Sequence, residues 1–216
     1  MIIDHTNRQY QRRWKTSGAN KYNGAYYYSR EIVKNIIPNV DTTRHWITVN
    51  IKGVGKEHSI VFVHNNLHPE NYEWLRIFND IVLVCGLEET VDKVSHIGKA
   101  IYLPLSIDTE YVKQFKLPKE QRHGIAFAGR PSKRTMDTAA LPKVDILENM
   151  PRQAFLQKMA TYEYVYAVGR TAIEAKALGC KLKAYDNRFP KVSRWKVLDN
   201  KEAAKILQER LNEIDG

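Results

Sequence analysis

The sequence predicts an α/β protein of two small lobes, each a parallel sheet covered by helices, and three observations carry that prediction. Short β-rich runs alternate with helical stretches between residues 45 and 103. A charged segment over 106–123, Ser-Ile-Asp-Thr-Glu-Tyr-Val-Lys-Gln-Phe-Lys-Leu-Pro-Lys-Glu-Gln-Arg-His, then interrupts the rhythm as a linker does. The alternation restarts at Gly124 and runs to a closing helix. The expected division is an N-terminal lobe at 1–108, a linker at 109–123 and a C-terminal lobe at 124–216.

Taken in order, residues 1–24 are polar and basic, with Ser17-Gly18 and Asn23-Gly24 as turn signals. The stretch 25–37 reads as a helix, stopped where Pro38 removes a backbone donor. Runs 45–51 and 58–64 are β-rich and joined by a turn at Lys52-Gly53-Val54-Gly55-Lys56. That fragment is not a P-loop, because its glycine spacing differs and no Ser or Thr follows the lysine. Helices at 69–79 and 87–96 alternate with strands at 81–85 and 100–103. In the second lobe strands are expected at 124–128 and 143–147, then a helix at 153–159. The segment 193–198 and a helix at 201–214, apolar at Ala204, Ile206, Leu207 and Leu211, close the chain.

Composition narrows the function classes. Of the 216 residues, 43% are hydrophobic and 27% charged, ordinary values for a globular protein. No apolar run approaches membrane-span length and the start, Met-Ile-Ile-Asp-His, lacks a signal-peptide core, so a cytoplasmic protein is expected. Cys85 and Cys180 stand apart in apolar surroundings and read as buried thiols rather than a disulfide. The formal charge of +10 calls for an anionic partner or a basic soluble face. Arg12, Arg13, Trp14 and Lys15, with Tyr26, Tyr27 and Tyr28 behind them, interleave cations and aromatics in a way that suits nucleic acid or an anionic membrane surface. There is no dinucleotide G-x-G-x-x-G run, Walker loop, nucleophile elbow or Cys-x-x-Cys pair.

The stretch 164–186 carries the functional argument. Residues 164–168 are β-rich, Gly169 permits a sharp turn, Ala172, Ile173, Ala175, Ala177 and Leu178 give the next helix an apolar surface, and Gly179 stops it before a second strand. A helix opening after a glycine turn leaves N–H groups free, which favours a phosphate there. Glu174, about one turn in, can accept hydrogen bonds from ribose hydroxyls. The same residues also fit an ordinary βαβ unit with a solvated glutamate.

The wording Gly-Arg-Thr-Ala-Ile-Glu-Ala-Lys-Ala-Leu-Gly-Cys resembles the nucleotide-sugar motif in the C-terminal domain of GT-B glycosyltransferases, especially the retaining group that includes bacterial polysaccharide enzymes. Pro104-Leu-Ser-Ile-Asp108-Thr-Glu-Tyr-Val resembles that family's end of the N-terminal domain, and Phe127-Ala-Gly129-Arg130-Pro-Ser-Lys133-Arg134 its first C-terminal strand and basic loop. The resemblance implies two Rossmann-like lobes with a cleft between them and transfer of a sugar from a UDP- or GDP-type donor; no Asp-x-Asp motif is present, so basic side chains are expected in place of a metal. The resemblance puts Glu174 on the donor ribose, the Gly169 turn with Arg170 and Thr171 on the nucleotide, and Arg130 and Lys133 on the diphosphate, with Arg134 as a stand-in for Lys133 and Gly129 a donor-binding residue at the strand end before them. Gly18 or Gly24 fits the family's N-terminal glycine loop, and His64 with Asn65 its cleft side. Members also carry an acidic residue eight positions before the glutamate, where this chain has Tyr166.

Alternatives stay open on these residues. Arg130, Lys133 and Arg134 also read as a basic loop on a basic protein, and His64 as a packed or capping histidine. His64, His68 and Glu70 as metal ligands are disfavoured because Asn65-Asn66 and Pro69 imply a loop rather than helical spacing. The acceptor is expected to be a polyanion such as DNA, touched by Arg12, Arg13, Trp14 and Lys15. A lipid-linked or cell-envelope glycan acceptor draws on the same charge. The rival class is a non-catalytic nucleic-acid-binding protein on a degenerate scaffold of this fold.

Overall fold

The structure is a computed structural model that describes residues 2–3, 24–48, 57–63, 68–128, 144–148, 150–184 and 189–216. It is an α/β architecture with two separate parallel sheets, each interleaved with helices. The chain divides into two compact units. The described residues of Ala25–Leu105 and Asn200–Gly216 belong to the first, together with the short strand β1 (Ile2–Ile3), and Ser106–Asp199 to the second.

The first unit carries a five-stranded sheet in the order β1-β2-β3-β4-β5, with β2 at Trp46–Thr48, β3 at Ser59–Val63, β4 at Val82–Cys85 and β5 at Lys99–Tyr102. Ser-Ile-Val-Phe-Val and Val-Leu-Val-Cys are continuous apolar runs, as parallel strands covered on both faces require, and every residue of β3 and β4 is buried. One face, with Val61, Val63, Leu83 and Cys85, packs on Tyr72, Leu75, Val94 and Ile97. Tyr72 and Leu75 belong to a 3-10 helix at Pro69–Ile77, while Val94 ends helix α2 (Glu88–Val94).

Helix α1 (Gly24–Glu31) continues as a π-helix at Ile32–Ile36, in which the Ile37 N–H reaches the Ile32 carbonyl, and then as a 3-10 turn at Ile37–Asn39. Proline at position 38 allows no ordinary continuation, so the helix loosens and then tightens before it stops.

The closing helix, Asn200–Asp215 (α6 below), is the largest departure from the expected division, because it belongs to the first unit rather than the C-terminal lobe. Its buried stripe of Ala203, Ala204, Leu207 and Leu211 packs on the Ile32–Asn39 segment, and each buried leucine contributes roughly 2 kcal/mol. Polar ties run along its length. Asn200 Nδ2 donates to Glu31 Oε2 at 3.2 Å, the Asp41 N–H to Gln208 Oε1 at 2.6 Å, and Lys99 Nζ to the Ile214 carbonyl at 3.3 Å.

The second unit carries a four-stranded sheet in the order β7-β6-β8-β9, with β6 at Ile125–Ala128, β7 at Asp145–Leu147, β8 at Tyr164–Tyr166 and β9 at Lys181–Lys183. The expected linker lies within this unit and contains α3 (Thr109–Lys113), capped by Asp108, whose carboxylate accepts the Tyr111 N–H at 2.9 Å. The unit's first and last segments meet. The Ile107 N–H donates to the Leu198 carbonyl at 3.1 Å, and the Thr109 hydroxyl donates to Asp199 Oδ2 at 2.6 Å. Helices α4 (Arg152–Ala160) and α5 (Arg170–Ala177) follow β7 and β8 and pack on each other, while α3 packs on α5.

Candidate functional site

The strand order singles out one place in the second unit. The strands on either side of β6 are β7 and β8, so the chain leaves β6 towards one edge and later returns to the other side. In open α/β sheets such a reversal opens a crevice at the carboxyl ends of the flanking strands, and ligands collect there. Here those ends are Ala128 of β6 and Tyr166 of β8. The first sheet runs β1 to β5 in sequence and contains no reversal.

The turn out of β8 brings the motif residues to this place. Gly169 adopts φ +62° and ψ −141°, a conformation a Cβ would strain, and it stands at the N-terminus of α5. Having no side chain, it cannot cap the helix. The first intrahelical bonds run from the Ala172 and Ile173 N–H groups back to its carbonyl at 3.0 and 3.4 Å, so the N–H groups of Arg170 and Thr171 precede the ladder. Beyond Glu174 the helix ends in a Schellman motif. The Cys180 N–H reaches the Ala175 carbonyl and the Gly179 N–H the Lys176 carbonyl, both at 2.9 Å, with Gly179 at φ +87°.

Glu174 is the most constrained charged group of the unit. Its side chain is 2% exposed, and Oε1 lies 2.6 Å from Arg152 Nη2 and 3.0 Å from Arg170 Nε. The arginines are 17% and 10% exposed. Both open helices, Arg152 at the first residue of α4 and Arg170 at the first of α5, so one carboxylate ties two helix N-termini together. Burial pushes the Glu174 carboxyl up. The charges of Arg152 and Arg170 and the Arg152 hydrogen bond outweigh it and hold the group below the usual carboxylate range. Both guanidiniums meet the one carboxylate oxygen at helix N-termini, where the positive ends of the two helix dipoles also lie. Oε2 accepts no hydrogen bond among the described residues.

Of the residues expected from sequence, the structure brings together Gly169, Arg170, Thr171 and Glu174 around one turn, with Tyr166 ending the strand before it. Gly24 is the first residue of α1. Gly18, His64, Asn65, Gly129, Arg130, Lys133, Arg134, Arg12, Arg13, Trp14 and Lys15 lie outside the described residues. Sequence reading missed Arg152. It lies 22 positions before Glu174, on another helix, and only the packing of α4 on α5 joins them.

Other chemistry finds little support in the described part. No group of three or more His, Cys, Asp or Glu is placed to hold a metal ion among the described residues, and His68 Nδ1 instead meets Glu70 Oε1 at 2.9 Å. Both thiols are free and buried, and burial pushes Cys85 up to about 12 and Cys180 to about 11, so neither is a thiolate near neutral pH. No described helix is long and apolar enough to cross a membrane. No protein-family model, curated protein or solved structure matches this chain.

Proposed function

We propose that the chain is a nucleotide-sugar-dependent glycosyltransferase working without a metal, with its donor nucleotide at the β6–β8 reversal of the second unit. One observation supports this above the others. The segment whose wording resembles the GT-B nucleotide-sugar motif, Gly169 to Glu174, falls at the one strand reversal among the described sheets. In this reading the first N–H groups of α5 face a phosphate, with Arg170 and Arg152 supplying positive charge beside it. Glu174, whose side chain is buried, holds the two arginines on Oε1 and acts on the donor through them rather than by direct contact with its ribose. Arg130 and Lys133 stabilise the departing diphosphate, the part a metal plays in other transferases. The resemblance also implies retention of the anomeric configuration.

The acceptor in this proposal is a polyanion, because a nucleotide diphosphate alone does not call for a net charge of +10. Turnover is the direct test. The protein is incubated with UDP-, GDP-, ADP- and CMP-sugars, and release of the nucleotide is followed with and without DNA. Release from one donor, abolished in an Arg130→Ala/Lys133→Ala variant that keeps the parent's melting temperature, supports the reading. No release and no thermal shift with any donor ends it, since a ligand at 100 times its Kd stabilises by roughly 2.7 kcal/mol. Tyr166, standing where the resembling enzymes have an acidic residue, favours the second reading, a nucleic-acid-binding protein without transfer activity. Steeply salt-dependent DNA binding together with no donor binding would select it.

A further inference from the structure

The second sheet presents a face that the glycosyl-transfer reading touches only at its edge, where Tyr166 ends β8. Tyr164 and Tyr166, two apart on β8, point to the same side, and their registered partners on β9, Lys181 and Lys183, point there too. Val165, on the opposite side, is fully buried, whereas both tyrosines are only half-buried and the Lys181 side chain is 56% exposed. Lys183 Nζ hovers between the rings, 5.0 Å from the centroid of Tyr164 and 5.7 Å from that of Tyr166, and Lys181 Nζ lies 5.0 Å from Tyr164. The two ammonium groups are not equivalent. Lys181 donates to Glu163 Oε1 at 2.8 Å and to the Tyr164 hydroxyl at 3.4 Å, while Lys183 has no hydrogen-bond acceptor among the described residues. The open part of the face is confined to β8 and β9, since the next residue of the row, Phe127 of β6, is fully buried.

We infer that this face of β8 and β9 binds single-stranded nucleic acid, with bases stacked on Tyr164 and Tyr166 and phosphates taken by Lys183 and Lys181. The chemistry of each side chain argues for that occupant. An ammonium resting on aromatic rings without an oxygen partner is satisfied by an anionic oxygen, and a ring half open to solvent is satisfied by another π-face. A single strand supplies both in alternation. The tyrosines sit about 7 Å apart by strand geometry, too far to share one base but spaced for two bases of an unstacked strand. A duplex keeps its base faces inside the stack and offers this surface only phosphates. An anionic membrane or a sulfated polymer engages the lysines and leaves the rings idle. The inference does not rest on donor binding at the β6–β8 reversal, and either can fail alone.

The test uses the full chain and a fluorescently labelled 12-nucleotide strand of mixed sequence, titrated by anisotropy over a salt series. The parent is expected to bind the single strand more tightly than the matching duplex. Tyr164→Ala/Tyr166→Ala is expected to weaken single-strand binding at least about tenfold, given the worth of base stacking on aromatics, and Tyr164→Phe/Tyr166→Phe to bind as the parent does. Lys181→Gln/Lys183→Gln is expected to flatten the log–log salt slope by about 1.4, from roughly 0.7 for each phosphate no longer neutralised. An alanine variant within twofold of the parent, duplex or heparin binding as tight as the single strand, or binding only to anionic vesicles overturns the inference. A readout independent of these variants is ultraviolet crosslinking of a 5-iodouracil strand to the parent. Adducts on Tyr164 or Tyr166 support the inference, and adducts confined to other peptides overturn it.

Discussion

The two sheets of this chain are made of the same parallel strands and helices but bury them differently. In the first, β3 and β4 are closed on both sides and contain no charged residue, and the strands run in sequence order. In the second, β8 and β9 read Tyr-Val-Tyr and Lys-Leu-Lys, with Val165 the one buried residue of the two strands, and the order reverses at β6. A sheet closed on both faces with no reversal has hydrophobic burial as its main product. A sheet with a reversal and a half-open polar face retains places where a ligand can meet the backbone and charged side chains. Strand order and strand alternation therefore distinguish a sheet packed on both sides from one that keeps a reversal and a half-open edge.

Four perturbations break or sharpen that contrast. The largest effect is expected in the second unit from Glu174→Ala, which removes the buried carboxylate that joins the Arg152 and Arg170 guanidiniums. Breaking such a pair from one side costs about 3–5 kcal/mol, to be read as early loss of amide protection in α4 and α5. In the first unit the corresponding change is Leu207→Ala, which removes a buried side chain from the α6 stripe. About 3 kcal/mol is expected, with amide protection falling in α6 and in Ile32–Asn39 while α5 exchanges as before. If either variant loosens both units equally, the units do not respond independently.

Smaller effects test the ends of α5 and α3. Gly179→Ala forces a side chain into φ +87°, and its Cβ would stand 2.6 Å from Arg122 Nη1, so a loss of about 1–2 kcal/mol is expected in urea unfolding. Asp108→Ala removes the α3 cap and is expected to cost about 1 kcal/mol by the same measurement, with Asp108→Asn recovering most of it.

The acid limb of the stability curve separates the units further. Because the Glu174 carboxyl is held below its ordinary value of 4.5, its contribution is fully present above that pH and is lost as pH falls through the lower folded value. Lowering pH from about 5 is thus expected to weaken the packing of α4 on α5, and Glu174→Gln to remove that part of the pH dependence. An unchanged acid limb in the variant would show that the carboxylate does not carry this linkage.

Much of the fold was legible because parallel strands announce themselves locally. The apolar runs at 58–64 and 81–85 contain β3 and β4, and the closing helix was visible from its leucine spacing. What that stripe packs against was not visible, since an amphipathic pattern states that a face is buried and not by which partner. The charged 106–123 segment read as a linker because α3 has five residues and one buried side chain, Val112, too short a pattern to register. At the candidate site, the turn from Gly169 to Glu174 was readable from its glycines and helix start. The role of the glutamate was not, because Arg152 arrives from another helix through tertiary packing. The second strand after Gly179 was readable, but the pairing of its lysines with two tyrosines was not, because it depends on the β8–β9 register.

Hydrogen–deuterium exchange with and without saturating nucleotide sugar tests the central claim most directly, because it reports where a donor sits. The account predicts slowed exchange of the Arg170 and Thr171 amides and of the peptide spanning 167–174, with little change in β3 and β4. Protection confined to the first unit, or none with any donor, would contradict the assignment of the ligand site to the β6–β8 reversal.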